Sequence, residues 1–483
     1  MSNFLGLDIG TGSAKAVLLN EAGVAIAEAS AAYRPVSPKP GWSEIDVETW
    51  WQAIIDCARQ LPAEARNDVG GIGFSGQMHG VVLCDANSNA VRPAILWLDG
   101  RAGGVLSRYP QDSLARVGNN LSPGMAGPLL VWLQANEPEV LKSAGWALQP
   151  KDWLRLRLTG VANAEPSDAS GTLLAQRDGN WDFELIDALG LPRAIFAPMI
   201  GSADRAGSLT KRAAEALGLP PGIPVAAGGG DTPVAAIGSG LLTDGAAQLT
   251  TGSGAQIVVL QKDLPAPSPS LNCYRAVSTA DLPHWYVMAA MQNAGVALEW
   301  ARSTLGLSWD EAYSQAFDSG SAHDREVFFL PHLSGERTPW MNTNLRGAWV
   351  GMNPASTRGH LMHAAFVGVA FSIRAGLDAL RTHGIRVDSL RLAGGGSVHK
   401  AWQQLLMDVL QLPLDAVACP NASARGAAIL GGFVAGHWKT DDLFALAPGI
   451  ERLGEPLTTA YESSYVRFCD LNQRLTGWFE QGS

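Results

Sequence analysis

Short apolar runs separated by glycine-rich turns open the chain. Residues 4–9 (FLGLDI) read as a strand, 10–13 (GTGS) as a turn and 15–19 as a second strand. A third strand is expected over 24–28, after the turn at 20–23. The period then changes. Trp50, Trp51, Ile54 and Ile55 group at helical spacing, which predicts a helix over 47–58. Further along, 72–75 and 81–84 read as strands, and 128–135 and 154–158 as helices. In the second half, helices are expected over 292–302, 358–381 and 401–410. A short strand is expected over 390–393, ending in the glycines 394–396. Hairpins mixed with βα units exclude an all-parallel barrel as the simplest architecture.

The opening recurs halfway along. DIGTGSAKAVLL at the start and LTTGSGAQIVVL at 249–260 share little identity but the same order of strand, Thr-Gly-Ser turn and strand. This predicts two related α/β domains, each beginning with a hairpin whose turn can hold phosphate. The connector GSGLLTDG places the boundary near 241–245, giving domains 1–243 and 244–483.

Composition narrows the partners. With 47% hydrophobic and 17% charged residues, the 483-residue chain has the make-up of a compact soluble protein with ample core. A net charge of −10 argues against broad binding to nucleic acid or an anionic membrane. The five cysteines (Cys57, Cys84, Cys273, Cys419, Cys469) are scattered and form no C-x-x-C pair, so neither a disulfide framework nor a zinc site is expected. The N-terminus runs directly into strand-like sequence and no uninterrupted run of 18 apolar residues occurs, so a cytoplasmic location is the expectation.

Candidate chemistry begins at Asp8 and the turn Thr11-Gly12-Ser13. Small residues let backbone N–H groups approach phosphate oxygens, and hydroxyls add donors. Asp8, at the strand end, suits Mg²⁺ held through water. An ordinary glycine hairpin with a capping Asp is the alternative, and the second such turn at 250–254 weakens it. No P-loop is present. Gly71, Gly73 and Gly76 satisfy G-x-G-x-x-G, but QMHGVVLCD at 77–85 reads as a strand and not as the helix a dinucleotide site needs. Gly228–Gly230 precede Asp231 and Thr232. A carboxylate at the mouth of three glycines can accept the proton of an attacking hydroxyl. It can equally be a helix N-cap, since Pro233 suits a helix start. Gln77, Met78 and His79 lie in a turn between strands, where a lone His is more often structural. Trp97, Asp99 and Arg101 are further candidates to pack against or bond a sugar, although Trp97 taken singly reads as core. His360 and His363 read as structural.

Together DIGTGSAK, GWSEIDVETWW, GQMHG, RPAILWLDGR, LQPKDWLRLRLTG, SDASGT, GGGD, LSGERTP and AGGG resemble the FGGY carbohydrate kinases, in family order from residue 8 to 396, with a weaker match at ARGAAILGG. The resemblance implies an α/β fold of two actin-like, ribonuclease-H-like ATPase domains with ATP and sugar meeting in the interdomain cleft. It implies phosphorylation of a ketose, D-xylulose foremost, at O5 with ATP and Mg²⁺. Carried over, Asp231 is the general base and Asp8 the second catalytic carboxylate, beside metal and phosphates. Both would hold Mg²⁺ through water. Gln77, Met78, His79, Trp97, Asp231 and Thr232 fall on the sugar side. Thr11, Gly12, Ser13, Thr251, Gly252, Gly395 and Gly396 match the nucleotide turns. The implied partners are a small ketose and ATP, with no nucleic acid and no membrane; a homodimer is one assembly open to it.

Four positions depart from the family pattern. Thr232 stands where members acting on xylulose carry Asn, and Leu98 where Asn is usual. Leu129 replaces the Lys of the first signature and Val367 the acidic end of the second. These keep other ketoses (ribulose, fuculose, rhamnulose) and glycerol open as substrates. An actin-like nucleotide-binding protein that assembles without acting on sugar is the rival of a different kind. GQMHG and Asp231 argue against it.

Overall fold

The computed structural model describes residues 2–277, 282–318, 326–394 and 398–480. Two mixed sheets organise it. In the first, β1 (Asn3–Ile9), β2 (Ser13–Leu19) and β3 (Ala25–Ala32) form an antiparallel meander. β4 (Val69–Gly76) joins the free side of β1 in parallel. β5 (Arg205–Ser208) and β6 (Pro224–Ala226) complete the order β3-β2-β1-β4-β6-β5, and the short β7 (Gly229–Gly230) also pairs with β4. The helix α1 (Val47–Gln60) starts at Asp46, whose side chain accepts from the Glu48 amide, and buries Trp50, Ile54 and Cys57. Along β1 side chains alternate, so Leu5, Leu7 and Ile9 share a core with this helix, while Phe4, Gly6 and Asp8 face the other way.

The second sheet has β8 (Ala247–Thr251), β9 (Ala255–Gln261), β10 (Asn272–Arg275), β11 (Trp285–Met291), β12 (Leu390–Ala393), β13 (Leu414–Val417) and β14 (Ile450–Gly454) in the order β10-β11-β9-β8-β12-β13-β14. From β3 to β5 neighbours are related as antiparallel, antiparallel, parallel, parallel, antiparallel. From β11 to β14 the same sequence repeats. Two copies of one α/β unit are present, as the repeated hairpin predicts. Among the described residues one 25-residue helix, Arg358–Thr382, is long and apolar enough to cross a membrane. It is the core helix of the second half, with 78% of its most apolar window buried.

The halves are joined by more than a connector. The helix at Ala422–Val434, late in the chain, lies on the first sheet, backbone against backbone. A Cβ added at Gly6, Gly71 or Gly73 would stand 1.8, 2.0 or 1.9 Å from the carbonyl oxygens of Ala424, Gly431 and Ala427. No side chain fits there. The G-x-G-x-x-G match therefore belongs in part to helix packing.

Most expected elements are present with shifted ends. β3 runs on to Ala32 because its pairing with β2 continues to Ser13. The helix expected from 292 begins at Gly295, since the Gln292 amide is taken by the Glu336 side chain and those of Ala294 and Gly295 by carbonyls of the turn at 252–254.

Candidate active site

The first half gathers its polar residues at the carboxyl ends of three adjacent strands, the usual place for a ligand on an open α/β sheet. Asp8 lies beside Ser75 in the β1–β4 register, and Ser75 beside Gly229 in the β4–β7 register. Chain continuing from β4 gives Gln77, Met78 and His79; chain leaving β7 gives Asp231. Buried Asp8 accepts a 2.7 Å bond from the Ser75 hydroxyl. Burial pushes its carboxyl above the ordinary range, against the opposing effects of Ser75 and the Lys15 charge.

Asp231 opens the helix Asp231–Gly238, but Gly230 is the N-cap and Asp231 stands at the first helical position. Its Oδ1 accepts from the amide and hydroxyl of Thr232, at 2.6 and 3.3 Å. The residue keeps part of its surface open, yet its carboxyl is enclosed by protein. Burial first, then the negative charge of Asp8, pushes it up to about 6, and the two Thr232 bonds hold it back. Three glycines are required before it. Gly228 has φ +79°, and a Cβ on Gly230 would meet Met78 at 2.7 Å.

His79 adopts φ 77°, uncommon for a residue with a side chain. Its Nδ1 lies 2.8 Å from the Gly171 carbonyl oxygen, which can only accept, so Nδ1 carries the proton and Nε2 the lone pair. Burial holds the imidazole down to about 4; the Gly171 bond opposes this and the charge of Arg337 adds to it. The ring is 5.6 Å from that of Tyr274, and the Tyr286 hydroxyl donates to Met78 Sδ at 3.6 Å. Both tyrosines belong to the second sheet, so the two halves meet at this point. Gln77 is buried and faces the turn, donating to the Gly10 carbonyl at 3.2 Å.

Trp97 is not core. It is 40% exposed, and its indole N–H donates to Thr11 Oγ1 at 2.9 Å. Asp99 and Arg101 do not reach this site. They form a buried network with Glu44, in which Arg101 bonds Asp99 at 2.8 Å and Glu44 at 2.6 Å while stacking on Trp42. His360 caps its helix and His363 is buried against the Ala316 carbonyl.

Both hairpin turns spend their carbonyls on protein. In the first, Gly10 and Gly12 accept from the Tyr33 hydroxyl and amide. In the second, Gly252 and Ser253 accept from amides at 294–296. Among the described residues no carbonyl takes the amides of Thr11 and Gly12, or of Ser253 and Gly254. Ser13 begins β2, Gly252 is exposed, and the Thr251 hydroxyl is buried without a hydrogen bond. Gly395 and Gly396 lie outside the described residues. Gly394 before them presses on Thr251, where a Cβ would stand 2.1 Å from its carbonyl.

Comparison with known proteins decides the family. Residues 3–238 match the FGGY family of carbohydrate kinases, N-terminal domain, and 248–435 the C-terminal domain of the same family. The chain belongs to the FGGY carbohydrate kinases. It is 35% identical to the xylulose kinase of Escherichia coli (strain K12) over 422 residues, 85% of this chain and 86% of that one. It is 28% identical to the glycerol kinase of Bordetella parapertussis over 98% and 99% of the two chains. A solved xylulose kinase from Rhodospirillum rubrum superposes with a TM-score of 0.89 at 26% identity, over 99% of this chain and 100% of that chain. This FGGY kinase is therefore an ATP-dependent sugar kinase with the two-domain α/β fold of its family.

Sequence reasoning passed over the floor beneath the site. Lys151, Asp152, Arg155, Glu165 and Asp168 are fully buried together. Lys151 Nζ lies 2.5, 3.4 and 3.2 Å from Asp152, Glu165 and Asp168. Arg155 donates to the Ala227 carbonyl just before the three glycines, and Ser167 Oγ accepts from the Gly230 amide at 3.1 Å. The stretches 148–160 (LQPKDWLRLRLTG) and 165–172 (EPSDASGT) supply this cluster; nothing in their local pattern says that they meet. Tyr274, Tyr286 and Arg337 were missed for the same reason.

Proposed function

We propose that this kinase transfers the γ-phosphoryl group of ATP to O5 of D-xylulose. The observation that carries the reading is Asp231, a carboxylate pushed up to about 6 at the strand ends; Gly230 before it packs on Met78, and the residue after Met78, His79, has an Nε2 free to accept from a hydroxyl. At neutral pH Asp231 is ionised, yet basic enough to take a proton as the hydroxyl oxygen attacks. The hydroxyl O–H bond breaks toward Asp231, a bond forms from that oxygen to the γ-phosphorus, and the bond to the β-phosphate oxygen breaks to release ADP. Positioning and charge do the rest. Thr11 and Gly12 offer amides from residues 1–243, and Ser253 and Gly254 from 244–483, so ATP would bridge the two halves. Gln77 shapes the first turn from below, and Trp97 covers it.

Two carboxylates whose charges act on each other suit a hard cation, and Asp8 and Asp231 would hold Mg²⁺ through water. The ion would neutralise phosphate charge.

D-xylulose rests on the relatives named xylulose kinase and on the Met78–His79 pair. Leu98, 53% exposed beside Trp97, and Thr232, with its hydroxyl turned to Asp231, favour a less polar ketose as the second reading. Coupled ADP release across D-xylulose, ribulose, fuculose, rhamnulose and glycerol tests it. The expected result is the highest kcat/KM with D-xylulose. A better substrate elsewhere in the panel overturns the sugar and leaves the kinase standing.

A further inference from the structure

Arg337 lies in the LSGERTP loop of the second half and is half-buried. The loop is pinned to the end of β11. Thr338 donates its amide to the Ala290 carbonyl at 2.9 Å and its hydroxyl to the Ser270 carbonyl at 2.7 Å. Glu336 accepts from the amides of Gln292 and Arg337, at 2.5 and 2.9 Å. The same strand end touches the second phosphate turn, since a Cβ on Gly254 would stand 2.6 Å from the Met291 carbonyl and 3.2 Å from that of Gln292. So the backbone of Arg337 is fixed next to that turn. On the other side its charge acts on His79 and Tyr274.

Every other polar group of the loop core is engaged, whereas the guanidinium of Arg337 makes no hydrogen bond or ion pair among the described residues. A half-buried guanidinium without an acceptor is costly unless an anion arrives. The strand ends from which His79 continues also carry two carboxylates, Asp8 and Asp231. The cation nearest them in register, Lys15, stands opposite Asp8 across the first hairpin. A neutral ketose needs no cation at this place. A phosphoryl group passing between the two halves does.

We propose that Arg337 is a catalytic residue of this kinase, the guanidinium that grips the transferring phosphoryl group and afterwards the phosphate of the product. This rests on the sugar-kinase reading above.

The test uses the full-length chain with Arg337→Gln and Arg337→Lys, D-xylulose and D-xylulose 5-phosphate. For Arg337→Gln the expected result is a kcat lower by about 10²–10³-fold, the range for removing one preorganised donor from a developing charge. Affinity for D-xylulose should stay within about twofold, while affinity for D-xylulose 5-phosphate falls by about 10- to 100-fold, as for loss of a charged hydrogen bond. Arg337→Lys should recover part of kcat, because a point charge replaces a planar fork. It also carries the same test if the Gln variant does not fold. A kcat within about threefold of the parent's, or sugar and sugar phosphate weakened equally, overturns the proposal. If the parent itself turns over no D-xylulose, the substrate reading fails instead. The two failures are thus told apart.

Discussion

Asp231→Asn should do two opposite things, one to stability and one to turnover, and the structure gives the size of the first. Folding raises the Asp231 carboxyl from the usual 3.8 to about 6, so the folded protein holds this proton more tightly than the unfolded chain does. A raised carboxyl contributes stability that is complete below its unfolded pKa and lost as pH rises through the folded one. Two units correspond to at most about 3 kcal/mol that the unliganded protein forgoes at pH 7.5. Asn is neutral throughout, and its Oδ1 can still accept from the Thr232 amide. The variant should therefore melt higher than the parent at pH 7.5, with the gap closing as pH falls from about 6 toward 4. Its kcat should fall by about 10²–10⁴, the range for removing a general base. Thermal melts at a series of pH values, paired with coupled ADP release, measure both effects. A variant that turns over sugar at the parental rate removes Asp231 as the base. A melting gap that does not change with pH removes burial as the cause of its basicity.

Parental kcat/KM should rise with pH through about 6 and lose that step in Asp231→Asn, which a pH–rate profile resolves. His79→Ala should weaken sugar binding by on the order of 1 kcal/mol with ATP affinity unchanged in calorimetry. Because burial holds the parent imidazole near 4, any step in sugar affinity between pH 5.5 and 8 belongs to Asp231 and should vanish in Asp231→Asn; a step near 6.5 that persists in that variant would refute the buried, neutral imidazole. Gly73→Ala should destabilise by roughly 1–3 kcal/mol or more, as overpacking does, since its Cβ would meet the Ala427 carbonyl. An unchanged denaturation midpoint would refute that packing. Sugar and a non-hydrolysable ATP analogue should tighten each other's binding by one common factor, with a smaller radius of gyration when both are bound. Uncoupled affinities and a scattering profile indifferent to sugar would leave domain closure unsupported.

The repeated hairpin was legible because strand, turn and strand are local, and the Thr-Gly-Ser turns carry their own chemistry. Asp231 was legible as a carboxylate after three glycines, but whether it capped the helix was a matter of one residue of register, which only the backbone decides. Taken singly Trp97 reads as core, as aromatic side chains do; only the bond from its indole to Thr11 puts it at the first turn. Asp99 and Arg101 had the residue types of a sugar contact, and their consumption by Glu44 and Trp42 depends on chain more than 50 residues away. The cluster around Lys151 joins two segments that each look like an ordinary amphipathic stretch. Long-range pairing of charge leaves no periodic trace in sequence.

The helix at Ala422–Val434 also bears on how the molecule is made. Its slot is bare backbone at Gly6, Gly71 and Gly73, and nothing nearer in the chain fills it. At about 5–20 residues per second, roughly 20–70 s of synthesis separate the end of β4 from the arrival of this helix. During that interval the nascent first half carries an open seam on its central strands, with Phe4 and Val17 awaiting the apolar side chains of residues 424–430. The last quarter of the chain thus closes the first, and a nascent chain stopped before residue 422 lacks the lid of its earliest sheet.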